Sequence, residues 1–188
     1  GKTTLARIIA AEVEADFIEL SAVTAGMADV RKVVDRARLN WQTNDRTLLF
    51  VDEIHRFNKS QQDAFLPHVE SGLITLIGAT TENPSFEVIQ PLLSRSRVLT
   101  LQPHTEESLK KIILRAAEQE NLSKRLTPDA VELLAKLAGG DARVALGNLE
   151  LAAKITTGKI TSAEVNIAAQ KQLPNYDKNG NNHYDTVS

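Results

Sequence analysis

The sequence predicts an α/β protein: a three-layer αβα arrangement around a parallel sheet, followed by an all-α segment. Three observations carry this. Short apolar, β-rich runs alternate with stretches of helical periodicity in the first part of the chain, the pattern of strands covered by helices on both faces. Beyond Pro103 the strand signals stop, and helix start and stop signals follow one another. The length of 188 residues suits one such domain with a helical appendage.

The elements follow in order. Residues 3–15 place Leu5, Ile8, Ile9 and Val13 at helical spacing. Residues 16–20 (DFIEL) form a short strand, and residues 28–42 carry Val30, Val33, Val34, Ala37 and Trp41 on one helical face. Residues 47–52 (TLLFVD) are a continuous apolar run, as a buried parallel strand should be. Residues 59–71 read as a helix that Pro67 shortens or kinks. Residues 73–79 (LITLIGA) form a second buried strand, 86–94 a short helix, and 97–101 (RVLTL) another strand. Four helices then have clear caps. Thr105 stands before Glu106 and Glu107, Thr127 before Pro128, and Asp141 follows the Gly139-Gly140 stop. Thr161 and Glu164 have capping-box spacing. Periodicity fades from Lys171 onward. The expected domains are 1–103 for the α/β part, 104–170 for the helices and 171–188 as a linker.

Composition excludes several classes. The net charge of −2 argues against a strongly basic nucleic-acid domain, though a local basic surface is compatible with it. There is no Cys, so disulfides and Cys-based zinc sites are absent. Apolar runs fall short of the roughly 18 to 20 residues of a membrane span. The expected location is the cytoplasm. The only Met is Met27, so the chain is expected to be part of a longer one whose own start lies upstream.

The chemistry rests on a few short stretches. GKTT, residues 1–4, precedes an apolar helix. At a helix N-terminus the N–H groups of Gly1 to Thr4 can point at an anion, Lys2 can reach β and γ phosphates, and the Thr3 hydroxyl can ligate Mg²⁺. The apolar strand of 47–52 ends in Asp52 and Glu53, at the end of a parallel sheet where ligands gather. Asp52 can hold Mg²⁺ there, and Glu53 can polarise an attacking water. The strand of 73–79 ends in Thr80, Thr81 and Glu82; a polar side chain at that point can sense a γ-phosphate. Arg95 and Arg97 close the short helix of 86–94, and either can stabilise phosphoryl charge in a neighbouring subunit. Arg143 lies in a first helical turn, where a cation opposes the helix dipole, so its charge suits a bound phosphate.

In this order and spacing, GKTT, FVDEIHRF, IGATTENPSF, LLSRSR and GGDARVAL resemble the AAA+ P-loop ATPases of the clamp-loader branch. HRFNKSQQDAFLPHVESGLITLIGATTENPSFEVI is similar, more narrowly, to the replication-associated recombination protein A family, whose eukaryotic relative is the Werner-helicase-interacting protein. The resemblance implies an ATP- and Mg²⁺-dependent ATPase whose Walker A residues are Lys2 and Thr3 and whose Walker B pair is Asp52 and Glu53. It places Thr81 at sensor 1, where many relatives have Asn, and Arg143 at sensor 2 in the helical lid. Arg95 matches the arginine of the clamp-loader Ser-Arg-Cys motif, with Ser96 in the Cys position and Arg97 as a rival. It also implies a nucleoid-associated protein that acts at stalled forks, binds single-stranded DNA and duplex ends, meets single-strand-binding protein, and forms homo-oligomers through a C-terminal domain.

Other patterns in the chain carry less. DKNGNNHYD (177–185) starts like a calcium loop but lacks its Gly and its bidentate Glu. His55 and His68 are too isolated for a metal site and read as surface or helix-packing residues. DEIH suggests a DExH helicase, yet no second domain of that kind follows. Lys110, Lys111, Arg115, Lys124 and Arg125 read as solvated helix faces rather than DNA contacts. Alternatives to the DNA-dependent ATPase are a clamp-loader-like or Holliday-junction-motor-like subunit, and a non-catalytic scaffold latched by nucleotide. With no strand before GKTT, this stretch alone is expected to be poorly stable, to bind ATP weakly and to be inactive.

Overall fold

The computed structural model describes residues 1–176, with side chains through residue 171. The chain divides into two compact units between Thr100 and Leu101.

The first unit contains α1 (Lys2–Glu12), β1 (Ala15–Ser21), α2 (Met27–Gln42), β2 (Arg46–Asp52), α3 (Lys59–Asp63), α4 (Leu66–Glu70), β3 (Thr75–Gly78), α5 (Pro84–Glu87) and α6 (Gln90–Leu93). The three strands pair in parallel in the order β1-β2-β3. Ser21 lies opposite Asp52, and Val51 opposite Gly78. β2 is central, and Leu48, Leu49, Phe50 and Val51 are all buried. Because successive side chains point to opposite faces, the run feeds two cores. Leu49 and Val51 pack with Val30, Val33 and Val34 of α2, while Phe50 packs with Ala6 of α1 and Ala79. Both faces are therefore covered, which is why β2 is uniformly apolar.

Burial was left open by the sequence for some of these residues, and several expectations are corrected. α1 buries Ala6 and Ala10, leaving Leu5, Ile8, Ile9 and Val13 exposed, Ile8 to 55%. Small residues allow that helix to lie close against Phe50, and the face was chosen by this fit rather than by side-chain size. Trp41 is 61% exposed. The helix expected over 59–71 is two short ones, with Pro67 in the first turn of α4, where its missing N–H costs nothing. The helix expected over 86–94 is likewise split into α5 and α6. β3 is an edge strand, half-buried rather than buried. Residues 97–101 form no strand, and Leu99 is 72% exposed. β propensity alone cannot hold an extended segment without a ladder partner, and none of the described residues pairs with it.

The second unit contains α7 (Glu106–Gln119), α8 (Pro128–Leu137), α9 (Ala142–Ile155) and α10 (Ser162–Tyr176). Its core joins Leu109 and Ile113 of α7, Leu134 of α8, Leu149 and Ala152 of α9, and Val165 and Ala168 of α10. The caps are local and mostly as the sequence implies. Thr105 Oγ1 accepts from the Ser108 N–H at 3.2 Å, and Asp141 Oδ1 accepts from the N–H groups of Arg143 at 2.7 Å and Val144 at 3.4 Å. Glu164 Oε2 reaches back to the Thr161 N–H at 2.8 Å and accepts from its hydroxyl at 2.5 Å. Thr127 departs from expectation: its hydroxyl donates to the Ile160 carbonyl at 2.9 Å instead of capping α8. Gly140 has φ +90°, and a Cβ there would lie 2.6 Å from Pro103 Cβ, so only glycine fits the turn. α10 continues to Tyr176, past the point where periodicity fades, because main-chain bonding does not need an apolar stripe in every turn. From residue 177 the expected linker, with the rejected calcium pattern, lies outside the described residues.

Candidate functional site

The site begins where β2 ends. Asp52 is the last residue of the strand, and its carbonyl accepts from the Ala22 N–H at 2.9 Å. Glu53 then adopts a left-handed backbone, φ 53° and ψ 46°. Such a conformation costs a residue with a Cβ about 1–2 kcal/mol, and here the surroundings enforce it. The Ile54 N–H donates to the Ala79 carbonyl at 2.9 Å, the Ala79 N–H to the Val51 carbonyl at 2.8 Å, and the Arg56 N–H to the Glu53 carbonyl at 2.8 Å. Strained residues of this kind concentrate at functional sites.

The Glu53 side chain meets the segment that follows β3. The Thr81 hydroxyl donates to Glu53 Oε2 at 3.2 Å. His55 Nδ1 lies 3.2 Å from the same oxygen and 2.9 Å from Thr80 Oγ1. Thr80 Oγ1 also accepts from the Glu82 N–H at 3.0 Å. Lys2 arrives from the other side of this segment: its Nζ donates to the Thr80 carbonyl at 2.8 Å. An ammonium has three N–H groups, so two remain for other acceptors.

Lys2, Glu53 and Thr81 are thus brought together around the segment after β3, with Asp52 at the end of the adjacent strand. Thr3 is half-buried in the first turn of α1, while Gly1 and Thr4 are exposed. Gly1 offers no side-chain cap to α1, so the first-turn N–H groups have no side-chain acceptor. Among the described residues no group of three or more His, Cys, Asp or Glu could hold a metal. The oxygen donors of Thr3 and Asp52 suit a hard ion such as Mg²⁺ that arrives with phosphate and water ligands, not one held in a protein cage.

The two arginines after α6 differ. Arg95 Nη2 lies 2.6 Å from Glu70 Oε1, and its Nη1 donates to the Pro91 carbonyl at 2.9 Å and to Ser94 Oγ at 3.3 Å. Arg97 is exposed and has no hydrogen bond or ion pair among the described residues. In the second unit Arg143 stands in the first turn of α9 with its side chain exposed; Asp141 binds its backbone N–H and so offsets the dipole locally. Arg125, read as a solvated charge, is instead spent on structure. Its Nε donates to the Gly158 carbonyl at 2.9 Å, and its Nη2 to the Ala153 carbonyl at 3.2 Å and to the Thr156 carbonyl.

Two members of the site were not identified from sequence. His55, read as a surface or packing residue, has only 10% of its side chain exposed and lies inside the site. Its position just after the strand-terminal acids was the available signal. The Thr80 carbonyl could not have been found, because a main-chain acceptor leaves no mark in the sequence.

Known proteins show the family to which the chain belongs. The family model of the ATPase family associated with various cellular activities (AAA) matches residues 1–103, and that of the AAA C-terminal domain matches residues 119–188. The chain is 44% identical over 200 residues to "Replication-associated recombination protein A" of Escherichia coli, covering 100% of this chain and 44% of that protein. It is 41% identical over 213 residues to "ATPase WRNIP1" of Dictyostelium discoideum, covering 100% of this chain and 24% of that one. The chain therefore spans less than half the length of these relatives. Among solved structures, the Thermotoga maritima RuvB Holliday junction branch migration motor superimposes with a TM-score of 0.71 at 28% identity, over 91% of this chain and 58% of that chain.

Proposed function

The chain belongs to the AAA ATPase family, and we propose that the full-length protein is a DNA-stimulated, Mg²⁺-dependent ATPase acting at stalled forks in replication, recombination and repair. The meeting of Lys2 and Glu53 across Thr80 and Thr81 carries this reading.

In it, the two free N–H groups of Lys2 and the first-turn amides of α1 bind the β and γ phosphates. Thr3 and Asp52 would hold Mg²⁺, which when bound would neutralise phosphate charge. Glu53 polarises a water whose oxygen attacks the γ-phosphorus. The bond from that phosphorus to the bridging oxygen breaks, its electron pair stays on ADP, and the water proton passes to Glu53. Thr81 orients Glu53 through its hydroxyl and reads the γ-phosphate. Arg143, exposed in the first turn of α9, is the sensor-2 candidate of the second unit.

A trans-acting arginine completes the site in an oligomer. Arg95 is engaged within its own subunit by Glu70, Pro91 and Ser94, whereas Arg97 is exposed and uncommitted among the described residues. That favours Arg97, with Arg95 setting the geometry of the turn. DNA as effector, single-strand-binding protein as partner and a nucleoid location rest on the resemblance to the recombination proteins named above. The same Arg95–Glu70 pairing leaves room for a second reading, a scaffold that binds nucleotide as a latch without turnover. Steady-state ATP hydrolysis by the full-length protein, with and without single-stranded DNA, separates the two: no hydrolysis in either condition rejects the enzyme.

A further inference from the structure

His55 is not explained by packing alone. Its side chain is nearly buried, yet its Nδ1 faces two polar groups, Glu53 Oε2 at 3.2 Å and Thr80 Oγ1 at 2.9 Å. These neighbours determine the tautomer. An ionised carboxylate only accepts hydrogen bonds, whereas a hydroxyl can donate or accept. A bare Nδ1 would set its lone pair against the carboxylate. Nδ1 therefore carries the proton, donates it to Thr80 Oγ1 and keeps the positive end of that N–H beside Glu53 Oε2. Thr80 can accept it, since its oxygen already serves as an acceptor for the Glu82 N–H.

The consequence lies in how Glu53 is held. Its Oε2 receives the Thr81 hydroxyl, and His55 Nδ1 lies 3.2 Å from the same oxygen, so two groups crowd one carboxylate oxygen. Oε1 has no partner among the described residues. We propose that His55 is a positioning residue: it clamps Oε2 so that Oε1 is the oxygen presented to the attacking water. It also ties Glu53 to Thr80, whose carbonyl holds Lys2. The group that grips phosphate and the group that activates water are thereby linked through one residue, Thr80. This rests on the ATPase reading above, and it adds a role that the strand-end acids do not themselves imply.

The test uses the full-length protein and three substitutions. His55→Asn places an N–H donor near the Nδ1 position, His55→Gln places one near Nε2, and His55→Leu has none. Loss of a group that orients another typically lowers activity about 10- to 100-fold. The expected result is kcat reduced by that factor in the Leu and Gln variants, with the KM for ATP within about twofold, and kcat largely restored in the Asn variant. Wild-type kcat in the Leu variant overturns the proposal. So do equal losses in the Asn and Gln variants, or a KM that moves in step with kcat. If the Leu variant does not fold, the Asn and Gln pair decides alone. A wild-type protein that hydrolyses no ATP removes the ATPase reading and this inference together, whereas a hydrolysing wild type with indifferent His55 variants removes only the inference.

Discussion

The Lys2 ammonium donates to the Thr80 carbonyl at 2.8 Å, across 78 residues of sequence. This bond brings the start of α1 to the end of β3, and the next residue, Thr81, carries the contact onward to Glu53. A cation and a carboxylate are thus anchored to two successive residues of one segment.

Glu53→Gln keeps the shape of the side chain and one acceptor oxygen, but replaces the other oxygen with an NH2 donor and removes the basicity. Turnover in the full-length protein should fall by at least about 100-fold, while ATP binding by calorimetry stays near wild type. Retained turnover would remove Glu53 from the role of base.

Lys2→Ala should act on binding. A hydrogen bond to a charged group contributes about 1.5–3 kcal/mol, so ATP affinity should weaken about 10- to 100-fold. The melting temperature should change little, because the one protein partner is a partly exposed carbonyl. A variant that binds ATP normally would mean that the amine serves only the Thr80 carbonyl.

Arg95 and Arg97 should separate cleanly. Arg95→Ala removes an exposed ion pair with Glu70, which at the surface contributes less than about 1 kcal/mol. Arg97→Ala should leave nucleotide binding intact and abolish turnover, and mixing it with Glu53→Gln subunits should restore part of the activity. Full activity in Arg97→Ala with loss in Arg95→Ala would reverse the assignment.

Arg125 closes the end of α9 by donating to the carbonyls of Ala153, Thr156 and Gly158. Its positive charge also suits the negative end of that helix. Arg125→Met should destabilise the protein by about 2–3 kcal/mol, measured by urea unfolding. DNA affinity should be unchanged, since the guanidinium is already occupied.

Glu164 gives a pH signature. The Thr161 hydroxyl and the Thr161 N–H hold its carboxyl below the ordinary value of 4.5. A carboxyl with a lowered folded-state pKa stabilises the fold above its unfolded pKa, and that contribution disappears as pH falls through the folded value. The stability difference between wild type and Glu164→Gln should therefore be constant from neutral pH down to about 5 and shrink below about 4.5. A difference independent of acid would assign the cap to hydrogen-bond geometry alone.

The sequence by itself determined what local chemistry dictates. The uniformly apolar run through Leu48 to Val51 could only be a strand buried on both faces, and the acids that follow it had to stand at the end of a sheet. Thr105, Asp141 and the Thr161–Glu164 pair marked helix starts because a cap is settled within one turn. Tertiary structure decided which face α1 buries, since a close approach to Phe50 admits Ala6 but not the larger residues beside it. It also decided that residues 97–101 stay outside the sheet, that Arg95 is committed to Glu70, and that His55 reaches Glu53. Each of these depends on partners distant in sequence or on how a turn is aimed, and no periodicity, propensity or cap encodes either.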